Sequence, residues 1–333
     1  MINPIVISSR IRLARNFHDL PFPNKLSDFE SATSVSKAIF AILGDDYEFR
    51  RLKHMDSNAC LMLLENHTIS KELIDSKDIS GYALSPDGLV TIMINEEDHL
   101  RLQCILDEFD LKKCYDKLNI IDEKILDKID MAYSSELGFL TSCPSNVGTG
   151  MRASVMLFLP ALSFNGVMKQ LIETLSQNGL VVRGLFGEDS ACDGYFYQIS
   201  NRYTLGLNEQ EIIDLVTKNV SKIIEMENSS RNTLKEVNKN VILDMCYRAY
   251  GILTNSYIMP LEEAIMQLSK LRFGVALGLF KFKNPKIIDE LYTTIQPAHL
   301  MDYYSLDLNP MEQNIFRAKF LSENLENKLI KGV

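Results

Sequence analysis

The chain has 333 residues, of which 46% are apolar and 24% are charged, as in ordinary globular proteins. Its 44 acidic and 35 basic residues give a formal net charge of −9, which argues against a nucleic-acid binder, because such proteins carry a basic patch. Six scattered cysteines without a CxxC pair predict a reduced, cytoplasmic protein. The sequence contains no HExxH motif, so a zinc site is not expected. The longest apolar run, residues 155–164, is too short to span a bilayer, and the N-terminal run is too short for a signal peptide.

The first two thirds of the chain alternate strand-like and helix-like segments. Residues 81–95 predict a β-hairpin, because two apolar runs flank a Pro-Asp-Gly turn. Asn208, with Glu211 three residues later, predicts a capping box that opens a helix through about residue 226. The other predicted elements of this region are helices at 110–130 and 165–178 and strands at 180–186 and 195–200.

Beyond a polar stretch at residues 227–236, the strand signal disappears and prolines separate a run of helices. We therefore predict a domain boundary near residue 229. Residues 1–228 are expected to form an α+β domain, an antiparallel sheet flanked by helices, and residues 229–333 an all-helical domain. The helices predicted in the second domain cover residues 234–251, 261–280, 284–295 and 310–330.

The first motif that suggests chemistry is SSRIRLARN, at residues 8–16. In a strand, Arg10 and Arg12 point to one face, while Ile11 and Leu13 point to the other. Two neighbouring guanidinium groups suit a polyphosphate, because each can donate two parallel hydrogen bonds to its oxygens. A solvated strand face is the ordinary alternative.

The second motif is NEEDHLR, at residues 95–101, where the second strand of the hairpin ends. The carboxylates of Glu96, Glu97 and Asp98 repel one another unless a cation lies between them. A guanidinium group or a magnesium ion can supply that positive charge. The alternative is an acidic turn without a ligand.

Two glycine-containing segments follow. LTSCPSNVGTGMRA, residues 140–153, resembles a dinucleotide-binding fingerprint in its glycine spacing, but the residues after it read as a buried strand rather than a helix, so that interpretation fails. RGLFGE, residues 183–188, predicts a strand that runs into a loop able to close over a ligand, or a plain hairpin turn. The sequence contains no phosphate loop of the GxxxxGK[ST] type and no HRD or DFG motif.

These four motifs, in this order, resemble the ATP:guanido phosphotransferases, the creatine and arginine kinase superfamily. The resemblance covers essentially the whole chain and is closest to the bacterial protein arginine kinases, the McsB family. Unlike the kinases of free amino acids, this sequence reaches SSRIR already at residue 8, without a long N-terminal helical domain. It also carries a helical region after residue 229 that is similar to the McsB C-terminal domain, including IQPAHL at 295–300.

The resemblance implies the site residues one by one. Glu97 corresponds to the catalytic carboxylate, with Glu96 and Asp98 as assisting carboxylates, and Cys143 to a cysteine beside the substrate guanidinium. Magnesium is expected to be held by the phosphates, so no protein metal site is predicted. The implied ATP-binding residues are Ser8, Ser9, Arg10, Ile11, Arg12, His67, Arg101, Arg152, Ala153, Ser154, Val155, Met156, Arg183, Gly184, Leu185, Phe186, Gly187 and Glu188.

One segment departs from the family pattern. Protein arginine kinases carry an RDxxRA motif that binds phosphoarginine allosterically, and the aligned residues here are Gln313, Asn314, Arg317 and Ala318. A charged pair has become a neutral one. Because charge-assisted hydrogen bonds are the stronger kind, we expect phosphoarginine binding at this segment to be weak.

The resemblance implies transfer of the ATP γ-phosphoryl group to arginine side chains of proteins, with Mg²⁺, in bacterial protein quality control and stress response. Its implied partners are unfolded proteins and a CtsR-like repressor as substrates, an McsA-like activator and the ClpC-ClpP protease, and the implied assembly is a homodimer. No nucleic acid or membrane is expected. Two alternatives stay open at the level of sequence: a kinase of free arginine or another small guanidino compound, and a non-catalytic adaptor.

Overall fold

The structure is a computed structural model that describes residues 5–26, 29–184, 193–284, 286–326 and 328–330. Within these ranges the chain forms one large antiparallel sheet, helices that cover it, and a helical C-terminal part. None of the helices in these ranges combines the length and apolarity that a membrane span requires.

The strands alternate buried and half-buried side chains, as expected for a sheet with one face against a core. Eight of them form the large sheet in the order β2-β3-β4-β5-β1-β8-β10-β9, with every pair antiparallel. Two short ribbons, β6-β7 and β11-β12, lie outside it. The strands are β1 Val6–Arg15, β2 Glu48–Arg51, β3 Gly81–Leu84, β4 Val90–Ile94, β5 Leu100–Leu106, β6 Tyr133–Ser134, β7 Gly138–Phe139, β8 Met151–Phe158, β9 Leu180–Arg183, β10 Phe196–Asn201, β11 Lys281–Phe282 and β12 Leu329–Ile330.

One face of the sheet packs against helices and forms the main core. Ile11 and Leu13 of β1 and Val155 of β8 are at most 1% exposed and belong to this core. The helices include α4, whose Leu118 is fully buried there, and α7, whose capping box at Asn208 and Glu211 is present as predicted. The helices of this part are α1 Phe29–Leu43, α2 Ser57–Glu65, α3 Lys71–Asp75, α4 Leu111–Leu126, α5 Pro160–Phe164, α6 Met168–Gln177 and α7 Glu209–Val237.

The C-terminal part packs a second core against the end of the large sheet. Phe158 of β8 and Phe196 of β10 lie in the same buried cluster as Leu268 of α9. The two parts of the chain therefore share a hydrophobic core. The C-terminal helices are α8 Lys239–Asn255, α9 Leu261–Ala276, α10 Ile287–Thr294, α11 Pro297–Tyr304 and α12 Pro310–Leu325.

The predicted boundary near residue 229 lies inside α7, which continues to Val237. At this point a buried ion pair joins Glu227 to Arg231 at 2.7 Å. Glu227 also accepts hydrogen bonds from the backbone N–H groups of Ala161 and Leu162, which lack partners within α5. The polar stretch at 227–236 therefore belongs to a continuous helix, in which Glu227 and Arg231 are buried and most of the other polar residues are exposed.

Most predicted elements are confirmed, including the hairpin β3-β4, helices α4 and α6, and strands β8 and β10. Two predictions for the C-terminal part were wrong. The helix predicted at 234–251 is split at Asn238 between α7 and α8, and residues 329–330 form a strand rather than the end of a helix. Helix α11 was not predicted; it begins at Pro297, where the missing N–H of proline is not needed for the helix.

Candidate active site

The face of the sheet opposite the main core carries five arginines on four of its strands. Arg12 lies directly opposite Arg152 in the register of β1 with β8, and Arg10 lies two residues along the same face. Arg101 comes from β5 on one side and Arg183 from β9 on the other. Strand alternation in a common register therefore gathers residues that are up to 173 positions apart in the chain.

These guanidinium groups destabilise one another's charge. Burial lowers the pKa of Arg10 to about 10, and Arg101, Arg152 and Arg183 add repulsion. Burial and then the charge of Arg183 lower the pKa of Arg152 to about 10. The pKa of Arg12 is lowered well below its ordinary value by burial and then by Arg10. Partly desolvated cations that repel one another favour a polyanionic ligand.

Two of the five arginines also have unsatisfied donors. The Nε atoms of Arg10 and Arg12 are buried and have no hydrogen-bond partner among the described residues. Because leaving a buried donor unsatisfied costs about 1–3 kcal/mol, such donors indicate a ligand acceptor. Arg152 differs, since its Nη2 donates to the Ser200 hydroxyl at 3.1 Å, which fixes the direction of its guanidinium.

The three carboxylates of the acidic motif have different environments. Glu96 is 1% exposed at its side chain, accepts a hydrogen bond from Ser70, and forms an ion pair with Arg101 at 2.5 Å. Asp98 is 3% exposed and accepts from the Asn16 amide at 2.6 Å. Glu97 alone is exposed, and its pKa is raised by partial burial and then by Asp98. The Glu97 carboxylate is therefore free to contact a ligand, whereas the carboxylates of Glu96 and Asp98 are held by other residues of the protein.

The loop that carries Cys143 is fastened to the acidic motif. The backbone N–H of Ser142 donates to Asp98 at 2.7 Å, and the Ser142 hydroxyl donates to the backbone oxygen of Glu97 at 2.7 Å. The sulfur of Cys143 lies 3.0 Å from the Ser145 hydroxyl. Glu97 and Cys143 are therefore held beside each other by a short, fixed network.

Two glycines of the same segment lie so close to neighbouring backbone atoms that a side chain would not fit. Gly148 has a φ of 117°, and a Cβ atom there would lie 2.2 Å from the backbone oxygen of Thr204. Gly150 has a φ of 64°, and its Cβ would lie 2.6 Å from the backbone oxygen of Ala14. β8, not a helix, follows them. This confirms that the glycine spacing is unrelated to a dinucleotide-binding turn.

A cavity of about 720 Å³ adjoins the arginine face. His67, with a φ of 58°, lies in the loop after α2, and burial followed by the charge of Arg10 lowers the pKa of its imidazole. The neutral imidazole can thus contact a ligand without adding to the local positive charge. The predicted residues that line this cavity are Ser8, Arg10, His67, Ser154 and Met156.

Several predicted residues lie away from this face. Ser9 and Ile11 are fully buried on the opposite face, where the Ser9 hydroxyl donates to the backbone oxygen of Glu108 at 2.7 Å. Ala153 and Val155 are fully buried on that face as well. Gly184 is buried after the end of β9. Leu185, Phe186, Gly187 and Glu188 lie outside the described residues.

Sequence reasoning missed two residues that organise the site. Asn16 orients Asp98 and also accepts from the backbone N–H of His99 at 2.9 Å. Arg15 turns to the core, where it pairs with the buried Asp122 at 2.7 Å. Both residues belong to the SSRIRLARN motif. Strand alternation could have predicted that Arg15 faces the core, because Arg15 lies on the same side of β1 as Ile11 and Leu13. No local pattern indicated the role of Asn16.

The segment aligned with the phosphoarginine motif is engaged in internal contacts. Arg317 is 1% exposed and donates to the backbone oxygens of Ile295 at 2.8 Å and Met259 at 3.0 Å. Its Nη1 also donates to the Asn314 side chain at 2.7 Å. Gln313 donates to the backbone oxygen of Leu308 at 3.0 Å, and Ala318 is buried.

Comparisons with known proteins agree with this geometry. The model of the ATP:guanido phosphotransferase C-terminal catalytic domain matches residues 31–230, and that of the protein-arginine kinase McsB C-terminal domain matches residues 239–331. The chain is 42% identical over 328 residues to the protein-arginine kinase of Clostridium acetobutylicum, covering 97% of this chain and 96% of that protein. It is also 42% identical over 335 residues to the protein-arginine kinase of Caldanaerobacter subterraneus, covering 97% and 98%.

Solved structures with a similar fold include a lombricine kinase. The match has a TM-score of 0.59 and 28% identity over 68% of this chain, which spans 66% of that one. A duplicated taurocyamine kinase from Schistosoma mansoni, with bound components of a transition state analog, matches with a TM-score of 0.61 and 24% identity. There the match covers 77% of this chain and only 39% of the other, and it supports the fold alone.

Proposed function

The chain belongs to the protein-arginine kinases of the ATP:guanido phosphotransferase family, and on that premise we propose that it transfers the γ-phosphoryl group of ATP to arginine side chains of proteins. The observation that carries the proposal is the placement of one free carboxylate, Glu97, and one thiol, Cys143, beside the arginine face, where the buried Nε atoms of Arg10 and Arg12 have no partner among the described residues. An anion site next to a carboxylate suits a phosphoryl donor and a cationic acceptor.

The arginine face accounts for the nucleotide half of the reaction. Arg12 and Arg152 face each other across two paired strands and present donors to the same space. In phosphoryl transfer the protein mainly positions the reactants and stabilises charge on the phosphate oxygens. A fixed array of guanidinium forks supplies both functions, since each fork can bind two oxygens in a set plane.

Glu97 and Cys143 account for the acceptor half. A substrate guanidinium is protonated at neutral pH and must lose a proton as its nitrogen attacks phosphorus. In this step the new N–P bond forms, the bond from the γ-phosphorus to the bridging oxygen breaks, ADP leaves with that electron pair, and Glu97 receives the proton. Cys143 lies on the tethered loop and contacts the guanidinium from the second side.

Magnesium fits this site as a companion of the nucleotide. Among the described residues, no cluster of three histidine, cysteine or acidic side chains is suited to hold a metal, and the surrounding charge is positive. The ion is therefore expected to bind mainly through phosphate oxygens and water. Bound there, Mg²⁺ neutralises charge on the phosphates.

The cellular setting is part of the same proposal and rests on family membership. Phosphoarginine on unfolded proteins, or on a CtsR-like repressor, would mark them for the ClpC-ClpP protease in the cytoplasm. An McsA-like activator and a homodimer complete this proposal. In the helical part, the neutral Gln313 and Asn314 are expected to bind phosphoarginine weakly.

The proposal is tested by incubating the full chain with casein, ATP and Mg²⁺ and locating the modified residues by mass spectrometry at neutral pH. Acid-labile phosphate on arginine is the expected result. Free arginine and creatine are incubated in parallel. Phosphorylation of a free guanidino compound without modification of casein would establish the small-molecule alternative, and ADP formation without either product would contradict the proposal.

A further inference from the structure

The cavity beside the arginine face has a second wall that comes from the C-terminal helices. On the sheet side it is lined by Ser8, Arg10 and Met156, and on the opposite side by Arg272 of α9 and Tyr292 of α10. No motif of the nucleotide site includes the second wall. Its composition is mixed, since guanidinium, carboxylate, amide and ring groups all face the same space.

Arg272 has the features of a ligand-binding side chain. It is 11% exposed, and its Nη1 lies 3.0 Å from Asp289. Its guanidinium carbon lies 5.2 Å from the ring centre of Phe158 and 5.9 Å from that of Tyr292, so the group is fixed in place. Its Nε is buried and has no hydrogen-bond partner in the described parts of the chain.

The position of Arg272 separates it from the phosphate end. The arginines that lower the pKa of Arg10 are Arg101, Arg152 and Arg183, all on the sheet. The cavity continues from Arg10 along β1 towards Val6, away from Arg12. From Arg12 to Val6 the strand rises about 20 Å, enough for an extended nucleotide. A ligand whose phosphates lie on the sheet arginines thus has its other end at the helical wall.

The second wall is held rigidly to the loop that carries His67. The carboxylate of Glu65 accepts hydrogen bonds from the backbone N–H groups of Ala298 at 2.7 Å and His299 at 3.1 Å, at the N-terminus of α11. It also contacts the His299 ring at 2.6 Å. Gln296, which precedes α11, lines the cavity. The wall is therefore preorganised in the free protein, which reduces the entropic cost of binding.

We propose that helices α9 and α10, with Gln296 before α11, form the nucleoside end of the nucleotide cleft, with Arg272 as a donor to the ribose or base of ATP. The inference rests on the proposed function, because it assumes that the arginine face holds the phosphates. The rings and aliphatic groups of Met156, Phe196 and Tyr292 provide the apolar surface that a purine requires. Asp289, paired with Arg272, supplies an acceptor beside the donor.

Calorimetric titration of the full chain with MgADP tests the assignment, with Arg272→Gln as the variant. Its matched control is Arg248→Gln, which removes the same charge from an exposed ion pair on α8. Arg272→Gln is expected to weaken MgADP binding about tenfold, the loss of one charge-assisted hydrogen bond. The control is expected to match the wild type. In transfer assays the variant raises KM for ATP and leaves kcat at saturating ATP unchanged.

Inorganic tripolyphosphate is the second probe, because it has no nucleoside. Arg272→Gln is expected to bind it as the wild type does. Equal weakening of both probes would mean that Arg272 acts on the phosphates and would overturn the assignment. Unchanged MgADP binding by the variant would overturn it too, while leaving the proposed function intact. Failure of the wild type to bind MgADP would instead contradict the proposed function itself.

A steric variant covers the case in which Arg272→Gln unfolds, which circular dichroism and thermal melting would reveal. Gln296→Trp places a large ring in the cavity. The Gln296 side chain makes no capping bond to α11, and the change removes its hydrogen bond to the backbone oxygen of Tyr292 at 3.3 Å. It is expected to weaken MgADP binding about tenfold or more while tripolyphosphate binding stays unchanged. MgADP binding equal to that of the wild type would show that no nucleoside occupies this end.

Discussion

Asp98 accepts a hydrogen bond from the backbone N–H of Ser142 at 2.7 Å, across 44 positions of sequence. The contact joins the loop of the exposed carboxylate to the loop of Cys143, and Ser142 strengthens the connection by donating to the backbone of Glu97. Asp98, which is buried, therefore positions Glu97 and Cys143, the two residues proposed to contact the acceptor.

Asp98→Asn is expected to move the acid limb of the pH–rate profile to lower pH. Partial burial and then the Asp98 charge raise the pKa of Glu97. Glu97 must be ionised to accept a proton, so transfer is lost as pH falls through that raised pKa. Removing the neighbouring negative charge lowers the pKa, and activity persists to lower pH. The measurement is kcat/KM for protein phosphorylation as a function of pH.

Glu72→Gln is the control for this experiment. Glu72 is exposed and is the weakest of the named charges that raise the pKa of Glu97. A small shift of the same sign is expected, without loss of the maximal rate. An acid limb that stays in place in Asp98→Asn would show that Glu97 is not the titrating group.

Arg152→Lys is expected to lower kcat/KM about 10²-fold even though charge is conserved. The Arg152 guanidinium is aligned by Ser200 and faces Arg12, and a lysine ammonium cannot present two donors in one plane. Arg248→Lys, on the surface of α8, is the matched control and should behave as the wild type. Normal turnover of Arg152→Lys would remove this residue from the phosphate site.

Arg317→Ala is expected to lower the free energy of unfolding by about 2–4 kcal/mol, because it leaves buried carbonyl groups without a donor. The carbonyls are those of Ile295 and Met259, and burial lowers the pKa of Arg317 to about 10. Denaturant titration measures the change, with Arg248→Ala as the exposed control. Full stability of Arg317→Ala would contradict the structural role assigned here.

The same contacts bear on phosphoarginine. Because Arg317 already bonds two backbone oxygens and Asn314, free phosphoarginine is expected to bind the full chain weakly and to stimulate transfer little. Restoring the charged pair with Gln313→Arg and Asn314→Asp should strengthen binding, since charge-assisted bonds are about twice as strong as neutral ones. Titration calorimetry decides between these outcomes, and tight binding by the unmodified chain would show that the neutral pair suffices.

The placement of Arg10 and Arg12 on one face of a strand follows from a local pattern, whereas Arg101, Arg152 and Arg183 were implied by the family resemblance. The alternation at Arg10, Ile11 and Arg12 predicts which side chains share a face, because a strand has a side-chain period of two. The glycine segment before β8 was distinguished from a dinucleotide turn for the same reason, since the residues after it read as a strand. These features depend on neighbours in sequence, where single-chain reasoning is strongest.

The division of roles among the three carboxylates could not be predicted. Asn95 has a φ of 56°, and this turn sends Glu96 to Arg101 and Asp98 to Asn16, which leaves Glu97 free. The partners come from other strands, so no local pattern encodes them. The helical wall of the cavity was missed for the same reason, because its attachment through Glu65 joins residues 233 positions apart.

The central claim, that Glu97 accepts the proton as phosphate reaches the guanidinium, is tested most directly by single-turnover transfer in Glu97→Gln. The change is isosteric and exposed, so folding and MgADP affinity should stay unchanged while the transfer rate falls about 10²–10⁴-fold. That combination is the predicted result. A transfer rate equal to that of the wild type, with MgADP still bound, would contradict the claim.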